Sequence, residues 1–448
     1  VTQVIARSSV KAIIGTGITG LSVARFCVRE NLPFALFDTR LQPPALAQVQ
    51  AEFPNVAIEL GPLSSESLLL ADEIIISPGI AQTDPAIDAA KAAGIPVVGD
   101  IELFVRYAHA PIIAITGSNA KSTVTTLVGE MARAAGINVA VGGNLGTAAL
   151  DLLDDKIALY VMELSSFQLE TVTRLGAKVA TILNVSADHL DRYTDMRAYH
   201  AAKLRVYFGA QQVVFNRLDA LTQPPIAQGS KPISFGGAAE FNHFGVLEHH
   251  GEQWLAWQFE PLLAVSELAI RGKHNIDNAL AALALGHAAG LPLSAMVAAL
   301  KKFRGLPHRC QWIATKNGVD FFNDSKGTNV GATIAAIQGL ERTPAQLILI
   351  AGGEGKGADF NQLTPVVKGR VRAAVLIGRD APLIEQALSP VAQVISASTM
   401  QDAVAKAYAT AHNGDAVLLS PACASFDMFK NYEDRGARFC QAVEELAS

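Results

Sequence analysis

Short apolar runs alternate with helix-patterned segments along most of this chain, and the rhythm restarts three times. Such alternation marks α/β layers with largely parallel sheets, because parallel strands need a long crossover that a helix supplies. The first stretch opens on Lys11-Ala12-Ile13-Ile14 and repeats at 34–37 and 74–76. The second opens at 112–115 and continues through 158–162, 179–183 and 213–215, and the third holds 347–351, 373–377 and 416–419. Gly and Pro punctuate the pattern near 94–100 and 303–308, where domain boundaries are expected. Segment 232–270, rich in aromatics and glycines without a helical period, reads as a small antiparallel insert closing the middle domain. The apolar run 279–300 is interrupted by His287, Gly290 and Pro292. It is predicted to form two short core-facing helices with a turn between them, not a membrane span.

Half of the 448 residues are apolar and 17% are charged, the balance of a buried globular protein. A net charge of -5 argues against nonspecific nucleic-acid binding. Cys27, Cys310, Cys423 and Cys440 form no C-x-x-C pair, so neither a zinc site nor a disulfide framework is expected. With no basic segment leading into an apolar one at the start, no signal peptide is predicted, and a reducing cytoplasm is the expected location.

Two glycine turns follow apolar strands. Gly15-Thr16-Gly17-Ile18-Thr19-Gly20 opens a helix, with Asp38 about twenty residues on, as in a dinucleotide-binding fingerprint. A nicotinamide dehydrogenase, an unliganded βα turn and a site for a nucleotide-sugar diphosphate all satisfy this pattern. In the last, Asp38-Thr39-Arg40 and Ser77-Pro78-Gly79 would meet uracil, ribose or phosphate. The second turn favours that last reading, since a dehydrogenase has no use for another phosphate loop.

That second turn is Thr116-Gly117-Ser118-Asn119-Ala120-Lys121-Ser122-Thr123. Backbone N–H groups there would wrap phosphates, Lys121 would neutralise β/γ oxygens, and the Ser122 hydroxyl would reach Mg²⁺. It is not a regular Walker A, because Ile115 stands where the first glycine belongs. Glu163 ends the apolar run Tyr160-Val161-Met162, and His189 follows the next strand in Asn184-Val185-Ser186-Ala187-Asp188-His189. Strand ends of open α/β sheets converge on one crevice, so Glu163, His189 and the loop can share a site. An ordinary surface acid and a loop histidine are the plain alternatives. The guanine-reading Asn-Lys-x-Asp motif is absent.

Taken together, these residues resemble the Mur ligases of bacterial peptidoglycan synthesis over essentially the whole chain. The resemblance also rests on Gly142-Gly143-Asn144-Leu145-Gly146, Glu163-Leu164-Ser165-Ser166-Phe167-Gln168-Leu169 and Asp188-His189-Leu190-Asp191-Arg192-Tyr193. It continues through His274-Asn275, Pro307-His308-Arg309, Asn323-Asp324-Ser325-Lys326 and the run from Ser420 to Asp427. It implies three domains: a Rossmann-like UDP-substrate domain (1–98), a P-loop-type ATPase domain with its insert (99–304), and a Rossmann-like C-terminal domain receiving the amino acid (305–448). It also implies an ATP-dependent amide ligase that phosphorylates the alanine carboxylate of a UDP-muramoyl substrate. The amine of D-glutamate then attacks the acyl phosphate through a tetrahedral intermediate. ATP and two Mg²⁺ would be the cofactors, and the working unit a monomer.

Residue by residue, the resemblance implies that Lys121 holds the γ-phosphate, that Ser122 and Glu163 hold one Mg²⁺, and that His189 serves a second. Lys203 matches a lysine carbamylated by CO₂, which would turn a repelling cation into an anionic metal ligand. Ile18, Thr19, Asp38, Thr39, Arg40, Ser77, Gly79 and Asn144 would contact the UDP substrate. Asn275, Arg309 and Asp324 would hold adenine, phosphates and ribose, while Thr328, Lys356, Ser425 and Tyr432 would receive D-glutamate. Two positions depart from the family pattern: Ala120 stands where glycine precedes the loop lysine, and Tyr432 where phenylalanine is usual. A folylpolyglutamate synthase would lack the N-terminal domain, and the Asp-Asn-Pro-Arg motif of ligases adding the third residue is missing. A non-catalytic nucleotide-binding protein is the alternative from another class.

Overall fold

The computed structural model describes residues 10–189, 192–225, 232–270, 272–340 and 346–446. Leu190 and Asp191 therefore lie outside the described residues. Three sheets carry the chain.

The first contains β1 (Lys11–Ile14), β2 (Phe34–Asp38), β3 (Ile58–Leu60), β4 (Glu73–Ile76) and β5 (Val97–Val98) in the order β3-β2-β1-β4-β5, all parallel. Strand order reverses between β1 and β4, which opens a crevice at their carboxyl ends. Helix α1 (Ile18–Arg29) leaves that edge through the first glycine turn. A Cβ on Gly20 would lie 1.7 Å from the Gly15 carbonyl oxygen, and Gly15 itself has φ +97°, so the turn requires both glycines.

The second sheet contains β6 (Ile112–Thr116), β7 (Val139–Gly143), β8 (Leu159–Glu163), β9 (Val179–Ile182), β10 (Gln212–Asn216), β11 (Ile233–Ala238), β12 (His243–His249), β13 (Glu252–Trp257) and β14 (Glu260–Ala264). Its order is β14-β13-β12-β11-β10-β9-β6-β8-β7. Helices α2 (Lys121–Ala134), α3 (Met196–Leu204), α4 (Lys273–Ala289) and α5 (Leu293–Lys302) accompany it. The antiparallel insert expected within 232–270 is present in β12 to β14. β11 joins β10 in parallel and β12 joins β11 in parallel with a register break, so only β12 to β14 run antiparallel and they prolong the central sheet. An isolated hairpin is marginal in water. Phe235, Phe244, Leu255 and Leu263 instead bury their side chains in the same core as α4.

The apolar run forms the two helices with a turn between them that were expected, α4 and α5, with Gly290 and Pro292 in the turn. His287 does not interrupt the first of them, because α4 runs on to Ala289 with the imidazole against Phe244 and Trp257. Gly290, at φ +86°, ends that helix. Among the described residues no helix is long and apolar enough to cross a membrane.

The third sheet contains β15 (Gln311–Lys316), β16 (Val319–Asn323), β17 (Leu347–Gly352), β18 (Val371–Ile377), β19 (Gln393–Ser396) and β20 (Ala416–Leu419), in the order β15-β16-β20-β17-β18-β19. Only the edge strand β15 is antiparallel to its neighbour. Helices α6 (Val330–Gly339) and α7 (Tyr432–Glu444) belong to this part.

The first two sheets share one core, in which Ile13 and Phe26 join Ile112 and Tyr160. The helix Asp100–Tyr107 plugs into both, with Phe104 edge-on to Tyr160 at 5.1 Å and Tyr107 edge-on to Phe26 at 4.7 Å. The cores on the two faces of the third sheet draw only on that sheet and its helices.

Candidate active site

At the first glycine turn, Asp38 ends β2 fully buried, and its carboxylate is already committed. Oδ2 accepts from the N–H and hydroxyl of Thr16 at 2.9 and 2.7 Å and from Nη2 of Arg40 at 2.8 Å. Oδ1 accepts from the N–H and Nε of Arg40 at 3.0 and 2.8 Å. Burial works to raise its pKa, yet the bonds from Arg40 and Thr16 win and hold it well below the usual carboxylate range. Asp38 thus fixes the turn and the Arg40 guanidinium. Thr39, Arg40 and Ile18 are exposed around it, Ile18 to 79%. Ser77 donates to the Gly15 carbonyl at 3.4 Å, next to Pro78 and the exposed Gly79.

The phosphate loop leaves β6 at Gly117 and enters α2 through Ala120, at φ +67°. It is tied to the end of β9. The Asn119 N–H donates to Asn184 Oδ1 at 2.8 Å, Asn184 Nδ2 returns to the Asn119 carbonyl at 3.1 Å, and Ser118 Oγ donates to the Ser186 carbonyl at 2.9 Å. Lys121 Nζ donates to the Gly117 and Ser118 carbonyls at 2.8 and 3.0 Å, closing over the loop its charge would serve. Lys203 Nζ, 1% exposed on α3, donates to the same Gly117 carbonyl at 2.9 Å and stands 4.6 Å from the Tyr199 ring centre. Burial, and then the neighbouring Lys121 charge, drives the Lys203 pKa well below that of a free lysine.

Glu163 ends β8, 2% exposed. Its Oε1 accepts from Asn144 Nδ2 at 2.8 Å, while its buried Oε2 has no hydrogen-bond partner. A buried carboxylate oxygen without a donor is costly unless a cation completes it. Among the described residues no three carboxylate, imidazole or thiol groups gather closely enough to hold a metal by themselves. A cation at Glu163 would therefore draw on hydroxyl and phosphate oxygens as well. His189, at φ +57°, lies edge-on to Phe167 at 4.8 Å, with Nε2 3.7 Å from Oδ2 of Asp188.

Two clefts flank the loop. One, of about 310 Å³, is bounded by Asn119, Ala120 and Thr123, by His274, Asn275 and Asn278 of α4, and by Arg309 and Asp324 from the third sheet's side. Asp324 is deeply buried and accepts from Ser420 Oγ at 2.7 Å and the Cys310 N–H at 3.1 Å; burial pushes its carboxyl up to about 7. The other, of about 460 Å³, holds Lys121, Ser122, Asn144, Glu163, His189 and Lys203 on one wall and Thr328, Lys356, Ser425 and Tyr432 on the facing wall. Arg309 spans the two, with Nη2 donating to Ser122 Oγ at 2.6 Å. Of the residues at the first glycine turn, only Pro78 reaches this second cleft.

Two nucleotide-type turns, an uncompensated buried carboxylate and a cationic wall facing a phosphate loop are also what the comparisons match. Family models cover residues 9–99 (Mur ligase MurD-like, N-terminal domain), 115–286 (Mur ligase middle domain) and 308–423 (Mur ligase, glutamate ligase domain). The chain belongs to the Mur ligase family. Family members from Pseudomonas syringae pv. tomato and Pseudomonas aeruginosa, both named UDP-N-acetylmuramoylalanine--D-glutamate ligase, are each 57% identical to it. The first matches over 98% of both chains, the second over 99% of this chain and all of the other. The UDP-N-acetylmuramate-alanine ligase of Thermotoga maritima shares the fold with a TM-score of 0.60 at 17% identity, covering 97% of this chain and 99% of that one. MurF from Acinetobacter baumannii gives 0.59 at 18% identity over 83% and 85%.

Within this Mur ligase the clefts also contain residues to which sequence reasoning gave no role. Lys326 lies between both clefts, its ammonium 3.8 Å from the Tyr432 ring centre and its pKa lowered to about 8 by burial. Asp188 faces Lys356 at 3.9 Å, and Tyr199 bonds Ser118 Oγ at 3.0 Å. Lys326 and Asp188 stand inside motifs already singled out and were within reach. Tyr199, one aromatic on a helix, carried no such signal.

Proposed function

We infer that this chain is an ATP-dependent ligase that joins D-glutamate to UDP-N-acetylmuramoyl-L-alanine in peptidoglycan synthesis, releasing ADP and phosphate. The observation that carries this reading is the second cleft, where the phosphate loop and Glu163 face the amino-acid wall across one space. In the reaction an oxygen of the alanine carboxylate attacks the γ-phosphorus, and the bond to the β-phosphate bridging oxygen breaks. The D-glutamate amine then adds to the acyl carbon, loses a proton, and the C–O bond to phosphate breaks.

Roles follow from placement. Lys121 releases its loop carbonyls to meet the transferring phosphate. The unpartnered Oε2 of Glu163 and the Ser122 hydroxyl fit a Mg²⁺. His189 and carbamylated Lys203 would hold a second. Mg²⁺ supplies charge neutralisation between two anions that must meet. The neutral amine that burial favours at Lys203 is the form that attacks CO₂, forming an N–C bond and losing a proton. Gly117, Ser118, Asn119, Ala120 and Thr123 wrap the ATP phosphates, with Asn275, Arg309 and Asp324 around the remaining nucleotide. Thr328, Lys356, Ser425 and Tyr432 take D-glutamate, with Lys326 as a further cation for a dicarboxylate.

The UDP substrate lies along Ile18, Thr19, Thr39, Arg40, Ser77, Gly79 and Asn144, with Asp38 holding Arg40 and the turn in place. We set the domain boundaries at 98/99 and 304/305, where one sheet gives way to the next. We take the working unit to be a monomer, and an ATP-consuming step on a nucleotide-linked precursor supports cytoplasmic action. The test is phosphate release across a panel of amino acids including both enantiomers of glutamate. Release is expected only with the UDP substrate and D-glutamate together; ATP consumption independent of both sinks the assignment.

A further inference from the structure

Asn329 caps the N-terminus of α6 and is 6% exposed. Its amide is committed at both ends. Oδ1 accepts from the Ala332 N–H at 2.8 Å, the ordinary capping bond. Nδ2 donates to Oδ1 of Asn119 at 3.2 Å and to Oδ2 of Asp188 at 3.1 Å. Chemistry fixes this orientation, because a backbone N–H needs an oxygen and a carboxylate needs a donor.

A cap uses only the oxygen, and serine or aspartate would serve equally well. The nitrogen reaches instead to the second sheet, to partners 210 and 141 positions away in the chain. Both partners belong to the catalytic face: Asn119 is a corner of the phosphate loop, and Asp188 precedes His189 and faces Lys356. A second observation agrees. A Cβ on Gly331, two residues on, would lie 2.7 Å from Ser186 Oγ and 3.5 Å from Asn119 Nδ2, so α6 approaches the loop about as closely as glycine permits.

We propose that Asn329 is a positioning residue that seats the amino-acid-receiving wall on the phosphate loop and on Asp188, so that the incoming amine is brought to the acyl carbon. Thr328, beside it in sequence, and Lys356, across Asp188, are carried by the same seating. A separate cap and a separate latch would let the wall drift relative to the loop; one amide doing both keeps them in register. The inference rests on the ligase reading above.

Its test uses Asn329→Thr and Asn329→Ser, which keep the cap oxygen and remove the Nδ2 donor, with Asn329→Ala removing both. Wild-type phosphate release that requires D-glutamate is established first; its failure would strike the ligase reading itself. In the Thr and Ser variants, KM for ATP is expected to stay within about twofold of wild type and the thermal midpoint close to it, while kcat falls about 10- to 100-fold. The Ala variant is expected to lose stability in addition. Wild-type kcat in both cap-preserving variants overturns the proposal, and so does a kcat loss that appears only with the stability loss of Asn329→Ala.

Discussion

At φ +67° and ψ -5°, Ala120 holds the left-handed conformation from which the phosphate loop turns into α2. A Cβ in that region costs roughly 1 kcal/mol, and glycine would remove the cost at some loss of unfolded-state restriction. Ala120→Gly should therefore raise unfolding stability by up to ~1 kcal/mol, read by denaturant titration. Lys203 is tested by truncation. Lys203→Ala should lose most ligase activity and recover part of it with short carboxylic acids, and full activity without them removes the carbamate. Asp324 gives a pH signature. Its carboxyl, held up to about 7 by burial against ~3.9 in an unfolded chain, makes the folded state bind the extra proton between those values. This group's contribution is therefore best near pH 4 and is lost as pH rises to 7, and Asp324→Asn should flatten that slope in chemical denaturation at several pH values. Lys121, Glu163 and His189 were legible at this scale because strand ends converge on one crevice. Asp38 was not, since the same spacing serves a ligand contact or an internal clamp, and only its saturated oxygens distinguish them.

Among the elements, the βα turn into α1 depends on one atom's absence. The Gly15 carbonyl sits where a Gly20 Cβ would be, and backbone cannot swing aside as a flexible side chain does. Gly20→Ala should cost roughly 3 kcal/mol or more and abolish UDP-substrate binding by calorimetry, while ATP binding at α2 persists. A variant that binds the UDP substrate normally would show that the turn has slack the contact denies. The strands β1, β2, β4, β6, β8, β9, β10, β17, β18 and β20 were readable from their apolar runs because parallel strands are buried on both faces. Shorter or less apolar strands such as β3, β5, β7, β15, β16 and β19 were not. The antiparallel strands within 232–270 were legible, but the joining of β11 to β10 in parallel was not, because alternation reveals a half-buried strand and not its partner. The two helices of 279–300 were readable from Gly290 and Pro292, while His287, which packs against Trp257, lies within the first of them.

For the whole molecule, three domains on paper become two mechanical parts. The helix Asp100–Tyr107 commits aromatic side chains to the cores of both the first and second sheets, so separating those sheets would expose Phe104 and Tyr160 together. The third sheet closes its own cores, and its contacts with the loop are polar: Arg309 to Ser122, Asn329 to Asn119 and Asp188, Lys356 facing Asp188. Polar contacts exchange with water at little net cost, whereas parting a shared apolar core costs about 25 cal/mol per Å² exposed. Motion should therefore concentrate at residues 303–308, where Gly305 takes φ +85° and Pro307 follows. Light protease treatment without ligands should cut there first, giving fragments near 1–304 and 305–448. The UDP substrate with a non-hydrolysable ATP analogue and D-glutamate should slow that cut, because ligands spanning both walls hold them together. A first cut at 94–100 instead would mean that the shared core does not bind the first two sheets into one part.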